Sequence, residues 1–301
     1  MNSKIHTSNS FDNINYITII DNKSTVVNLS DKNIIDDSNP NALNDLKFIK
    51  KHIKHKVSEL FFSDAIIFVE GVTEETLLNY HIDNDEILSK YYISIFNING
   101  AHGLVYHKLI KLLKIPALII TDLDIKRKKS EKGEKYKENN EDKIGDFIQI
   151  SDLNGRQTTN ETIKKYKGND NLTNISQYYE DENLYIAFQS QKIRGYYPTS
   201  LEEAYILQNY NNTILNRVLK KIRPKIYKND VIIEKNIRNL IHLSYKWQNK
   251  LSNSKSDFAN ELLYQFSIKD DEEAALPVLP EYIQNALDWL KEQLNNNQEV
   301  A

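Results

Sequence analysis

The chain has 301 residues, 40% of them apolar and 27% charged, with a formal net charge of -3; that is enough apolar material for one large core or two modest ones. It contains no cysteine, which excludes disulfides, thiolate zinc sites and cysteine nucleophiles, so any metal must be held by oxygen or imidazole. No run approaches the roughly 18 apolar residues of a membrane helix, and the opening MNSKIHTSNS lacks the apolar core of a signal peptide; a cytoplasmic address with no membrane partner is expected.

In chain order, residues 13–29 (NINYITIIDNKSTVVNL) hold two short β-like runs separated by Asp21-Asn22, the pattern of a hairpin. Residues 30–39 read as a polar loop. From Pro40 to Leu60, Leu43, Leu46, Phe48, Ile49, Ile53, Val57 and Leu60 keep helical spacing with Lys and His opposite, predicting one amphipathic helix. A strand over Ala65–Val69, a helix over Thr73–Tyr80, a strand over Tyr92–Phe96, a helix over Gly103–Leu113 and a strand over Ala117–Thr121 follow. Short, wholly apolar strands alternating with helices predict an α/β fold with a mainly parallel sheet covered on both faces, hence doubly wound. Residues 126–143 include eight Lys or Arg, so 125–146 is expected to be a loop, either a solvated insertion or one that contacts phosphate. A second polar stretch runs over 154–174, and LYIAF (184–188) reads as another buried strand. YYPTSLEEAYIL then starts a helix with Thr199 or Ser200 as N-cap. Residues 211–301 are mostly helical and close on PEYIQNALDWLKEQL, where Tyr282, Ile283, Ala286, Leu287 and Leu290 make one apolar stripe.

The run IIFVEGVTEE (66–75) ends on glutamates rather than on an ordinary turn. In an open parallel sheet, ligands sit beyond the carboxyl ends of the strands. Glu70 is at such an end, Asp122 and Asp124 of ALIITDLD follow the next apolar strand, and Glu74 lies one helical turn beyond Glu70. If those strands are neighbours, four carboxylates converge, and charges that close do not all stay ionised without a cation. Hard oxygen ligands suit Mg²⁺ or Mn²⁺, which keep waters and bind phosphates; Glu202 and Ser200 are the candidates to complete a second site. His52 and His55 have no third ligand nearby in sequence and read as a solvated face. Arg194 is a candidate for DNA phosphate or for an ion pair to the acidic cluster.

Glu-Gly at one strand end and Asp-x-Asp at a later one, with helices between, resembles the TOPRIM fold of topoisomerases, bacterial primases and some nucleases. FFSDAIIFVEGVTEETLL resembles one branch, the OLD (overcoming lysogenization defect) family nucleases. TSLEEAYI, KSDFANELL and LPEYIQNALDWL extend the resemblance over about residues 60–295 in the expected order. It implies a metal-dependent DNA endonuclease or nickase, acting in phage defence or DNA processing. Glu70, Glu74, Asp122, Asp124, Ser200 and Glu202 match the family's metal-binding set, with Glu70 or Asp122 bridging two Mg²⁺ or Mn²⁺ ions that clamp the scissile phosphate. Lys255 of KSDFA matches the catalytic lysine, so Glu70, Asp122 and Lys255 are the expected catalytic residues.

Full-length OLD proteins carry an ATPase domain ahead of the TOPRIM domain, but no glycine here is followed by lysine, so no phosphate-cradling P-loop and no ATP hydrolysis are expected. HTSNSFDNINYI looks like the trailing edge of such an ATPase; a fragment, a split gene product and a free-standing nuclease remain open. The expected division is 1–60, a hairpin and amphipathic helix left from the ATPase; 61–210, the TOPRIM catalytic core; and 211–301, a helical region carrying Lys255. DNA is the expected partner, with a partner ATPase or a homo-oligomer beside it. The alternatives are a topoisomerase-like or primase-like TOPRIM protein, or an interaction module that needs a partner ATPase.

Overall fold

The computed structural model describes residues 15–20, 23–28, 42–52, 58–98, 103–132, 135–138, 141–144, 147–268 and 275–299. Its centre is a five-stranded sheet in the order β4-β3-β5-β9-β8. The strands are β3 (Ala65–Val69), β4 (Ile93–Asn97), β5 (Ala117–Ile120), β8 (Tyr178–Asp181) and β9 (Leu184–Ala187). The first four in spatial order run parallel, and β8 closes the edge antiparallel to β9. β3, β5 and β9 are buried along their whole length, as strands must be when helices cover both faces.

Alternation along β3 divides the core. Ile66 and Phe68 face a layer with Tyr106, Leu109, Ile110 and Leu113, the inward stripe of α3 (Gly103–Leu113). The Phe68 and Tyr106 rings stack at 4.9 Å. Ala65, Ile67 and Val69 face the other layer, built from α2 (Val72–Asp83), α5 (Leu201–Asn209), α10 (Lys255–Ser267) and α11 (Glu281–Glu299). Tyr282, Ile283, Ala286, Leu287 and Leu290 of α11 all point into this layer. Phe258, fully buried on α10, ties that helix to the sheet layer; truncating such a ring to alanine costs about 3–5 kcal/mol. The fold is therefore a doubly wound, mainly parallel α/β sheet with a helical C-terminal region.

The remaining elements are the β1–β2 hairpin (Asn15–Ile20 and Lys23–Asn28) and α1 (Ala42–His52). Short helices α6 (Thr213–Ile222), α7 (Pro224–Tyr227), α8 (Asn239–His242) and α9 (Ser244–Leu251) bridge α5 to α10, with a π-helical turn over Lys228–Ile233. One expectation is corrected, and one stretch without an assignment gains a helix. The basic stretch after β5 contains a hairpin, β6 (Lys135–Glu138) with β7 (Glu141–Ile144). The polar stretch 154–174 contains α4 (Glu161–Lys167), capped by Asn160 and ended by Gly168 in the left-handed region at φ 80°. Helical periodicity could not show so short a helix, since one buried turn, Thr162-Ile163, holds it. His55 lies outside the described residues, as does the side chain of His52.

Candidate active site

β3 and β5 are neighbours in register, Val69 opposite Ile120, so Glu70 and Thr121 leave the sheet side by side at its carboxyl edge. Thr121 donates its hydroxyl proton to Glu70 Oε1. Asn160 holds both: its Nδ2 donates to Thr121 Oγ1 at 2.6 Å, to the Asp122 carbonyl at 2.9 Å and to Glu70 Oε1 at 3.4 Å. The same side chain caps α4 by accepting from Ile163 N, so α4 is pinned to the strand ends. From β9, Gln189 Nε2 donates to Asp122 Oδ1 at 2.8 Å and to Tyr282 Oη at 3.0 Å, while its Oε1 accepts from Leu123 N. Leu201 N also donates to Asp122 Oδ1, at 3.1 Å.

Gly71 answers why the glutamate is followed by glycine. Its φ of -146° is open to any residue, but a Cβ there would sit 2.7 Å from Glu74 Oε2. The absent side chain makes room for the Glu74 carboxylate, which α2 turns back over the strand end. Glu74 is 3% exposed and Glu202 0%. Glu202 Oε1 accepts from Thr73 Oγ1 at 2.8 Å and pairs with Lys255 Nζ at 3.1 Å. The Oε2 atoms of Glu74 and Glu202, both buried, have no hydrogen-bond partner.

Burial followed by the charge of Glu202 pushes the Glu74 carboxyl up to about 7. Burial and the charges of Glu74, Glu202 and Glu70 carry Asp122 well above the usual carboxylate range. Burial also raises Glu70, against the hydrogen bond from Thr121. Lys255 opens α10, and although burial pulls its ammonium down, Glu202, Asp122 and Glu74 together raise it. One ammonium thus faces a set of crowded carboxylates.

Asp122, Asp124, Thr199, Ser200 and Lys255 border one cleft of about 350 Å³, with Arg127 and Tyr245 also in its lining. Asp124 takes a left-handed backbone, φ 46°, a conformation that Asp tolerates better than most residues and that gathers at functional turns. Ser200 is the N-cap of α5, accepting from Glu203 N at 3.4 Å. Glu203, next to Glu202 and as deeply buried, is used up in that cap: it accepts from Thr199 N, Thr199 Oγ1 and Ser244 Oγ at 2.9, 3.0 and 3.0 Å. Arg194 lies over the Tyr210 ring at 5.2 Å.

The carboxylates are neighbours without being folded round a common centre. Among the described residues no three His, Asp or Glu side chains are gathered closely enough to hold one ion. Three of the carboxylates instead take protein donors: Thr121 and Asn160 on Glu70, Gln189 and Leu201 on Asp122, Thr73 and Lys255 on Glu202. The donor set still suits a hard divalent cation, because it is all oxygen and two of its buried carboxylate oxygens are unsatisfied, a cost a protein does not normally carry. Asn160 and Gln189 were not singled out from sequence. Gln189 follows the apolar run LYIAF at another carboxyl strand end, a signal that was present; nothing local tied Asn160 to the site, since the groups it donates to there lie 38 to 90 residues away.

The family model described as overcoming lysogenization defect protein-like, TOPRIM domain, matches residues 61–124. The chain is 54% identical over 305 residues to the endonuclease GajA of Bacillus cereus (strain HuB5-5), covering 99% of this chain and 42% of that protein; it therefore spans less than half the length of this relative. The solved C-terminal region of the Burkholderia pseudomallei OLD protein aligns with a TM-score of 0.39 and 18% identity, over 77% of this chain and 98% of that one. The segment that holds Glu70, Glu74, Asp122 and Asp124 thus matches the OLD-like TOPRIM domain model.

Proposed function

We propose that the protein is a metal-dependent nuclease that cuts DNA, as an endonuclease or nickase, at the carboxyl edge of the sheet. The observation that carries this reading is the pair of buried, unpartnered oxygens of Glu74 and Glu202 beside Lys255, with Glu74 inside the segment 61–124 that the TOPRIM model matches. Similarity to a protein named an endonuclease supports the same reaction. Glu70, Glu74, Asp122, Asp124, Ser200 and Glu202 would hold Mg²⁺ or Mn²⁺, two ions in the reading the resemblance implies. When bound, such ions supply charge neutralisation at the scissile phosphate and activation of the attacking water.

The chain's own groups do the rest. Asn160 and Gln189 fix Glu70 and Asp122 from behind, so neither carboxylate needs to reorganise as charge develops. Lys255 is held by Glu202 at the cleft wall, where its ammonium meets charge appearing on the phosphate oxygens. Glu203 and Ser200 fix the start of α5 and with it the position of Glu202. Residues 61–210 are proposed as the catalytic core, 211–301 as the helical region that delivers Lys255, and 1–60 as a hairpin and amphipathic helix left from an ATPase domain. A cytoplasmic role in phage defence or DNA processing completes the proposal; among the described residues no helix is long and apolar enough to cross a membrane.

Supercoiled plasmid incubated with the purified chain and Mn²⁺ tests this. Conversion to open circles, lost on chelation and in Asp122→Asn, is expected. No cleavage with either metal, alone or with an added partner ATPase, would leave an interaction module; changed supercoiling without nicks would favour the topoisomerase-like alternative.

A further inference from the structure

Arg127 stands out among the basic residues after β5. Its side chain is only 10% exposed, yet its Nε and Nη2 have no hydrogen-bond partner. The neighbouring carboxylates are engaged elsewhere: Glu131 accepts from Arg156 Nη1 at 2.7 Å and from Lys128 N at 3.1 Å, and comes no closer than 4.0 Å to Arg127. Glu203 is used up by Thr199 and Ser244. What holds the guanidinium is its face and one corner: it lies 3.9 Å over the Tyr245 ring, and Nη1 donates to the Ile148 carbonyl at 2.6 Å. The stack and that bond fix the plane and leave the buried Nε–Nη2 edge without a partner, on a residue that lines the same cleft as Asp122, Asp124 and Lys255. Two parallel N–H donors on one edge match two oxygens of a phosphate, a bidentate geometry that lysine cannot reproduce.

The geometry points to Arg127 as a DNA-positioning residue, its Nε–Nη2 edge binding a backbone phosphate of the strand in the cleft. This rests on the nuclease reading above and adds to it a named contact to the substrate's backbone. Burial of the guanidinium fits: two unmade hydrogen bonds are carried in the free protein, where the donors are covered, and are made when the cleft wall shifts to admit the strand. The contact is to phosphate, hence independent of base sequence.

Binding of a short duplex, measured by fluorescence anisotropy in EDTA at several salt concentrations, isolates the contact from catalysis. Arg127→Gln should weaken binding about tenfold and shrink the slope of log K against log salt by about 0.9, one phosphate's worth. Arg127→Lys should restore the slope but cleave below wild type in single turnover with Mn²⁺, because it keeps the charge and loses the paired donors. Mn²⁺ affinity should not change in either variant. Wild-type slope and affinity in Arg127→Gln would overturn the assignment and leave a structural stack on Tyr245. If Arg127→Gln does not fold, wild-type cleavage by Arg127→Lys would overturn it equally. Wild-type protein that neither binds nor nicks DNA would remove the nuclease reading and this contact together, whereas wild-type nicking with an unaltered Arg127→Gln slope removes Arg127 alone.

Discussion

The two ends of the central sheet carry similar charges and treat them in opposite ways. At the amino end of the parallel strands, Asp181 pairs with His107 Nε2 at 2.9 Å and Lys111 Nζ at 2.5 Å, and Glu182 with Lys111 and Lys114 at 3.1 and 3.0 Å. Burial raises Asp181, but the hydrogen bonds from Lys111 and His107 outweigh it and hold its carboxyl below the usual range. At the carboxyl end, Glu70, Glu74, Asp122 and Glu202 share Lys255, and burial with mutual repulsion pushes Glu74 and Asp122 up. The amino end closes its charge from within. The carboxyl end leaves crowded carboxylates around one ammonium beside a cleft, the kind of charge arrangement that gathers at functional sites.

Asp122→Asn should break the comparison most severely, by making the carboxyl end behave like the amino end. The amide keeps Oδ1 for Gln189 and Leu201 while removing one repelling charge. Nicking should fall at least about 10²–10³-fold, and the metal-free melting temperature should hold or rise. Unchanged nicking would take Asp122 out of the site; a steep drop in melting temperature would make it structural.

Lys255→Ala removes the cation that Glu74, Asp122 and Glu202 share. Single-turnover cleavage should drop by roughly 10²- to 10³-fold with DNA affinity little altered, since one phosphate contact among many carries a small share. Mn²⁺ affinity should survive or tighten, because a competing positive charge is gone. A loss explained wholly by weaker DNA binding would contradict the role.

A smaller and more local effect is expected of Gly71→Ala. The backbone accepts alanine, so stability should change by no more than about 1 kcal/mol. The new Cβ must displace Glu74 Oε2, and Mn²⁺ affinity should fall about tenfold, as it does when ligand orientation is disturbed. Equal metal titrations for the two proteins would show that Glu74 does not need that position.

Much of this contrast was legible in the sequence where burial is complete. AIIFV and ALII are apolar at every position because both faces are covered, and their strand-end acids follow from topology. β8, which begins with two tyrosines in Tyr178-Tyr179-Glu180-Asp181, was not legible: it is an edge strand of four residues with alternating exposure, too short for its period to register. Arg127 could not be told from seven other basic residues around it, since composition does not show which of them stacks on Tyr245. Glu202 and Glu203 are adjacent and identical as letters; only Ser244, 41 residues on, decides that the second is saturated and the first is not. Resemblance, rather than spacing, selected Lys255.

The gentlest way to sharpen the comparison is pH, because the two ends should respond with opposite signs. Glu74 has an ordinary value of 4.5 and is raised to about 7 in the fold, so the folded chain holds that proton more tightly. Its contribution to stability is complete below pH 4.5 and is lost as pH rises through 7. Asp181, lowered from 3.8, contributes above that value and loses the contribution as pH falls through its folded pKa. His107 and His81, lowered chiefly by burial, also weaken the fold on acidification, which hides the Glu74 effect in the wild-type curve alone. The difference between Glu74→Gln and wild type removes that background. Without metal, the two should melt together near pH 4.5, and the variant should become the more stable as pH passes about 7. Saturating Mn²⁺ should then raise the wild type more than the variant, since ligand binding to the folded state favours whichever protein binds it better. Asp181→Asn should lower stability at neutral pH by under about 1 kcal/mol, because its pairs are partly exposed and salt-screened, and should leave the Mn²⁺ response untouched. A Glu74→Gln curve parallel to wild type at every pH would mean that the carboxyl end carries no charge deficit, and the comparison between the two ends would collapse.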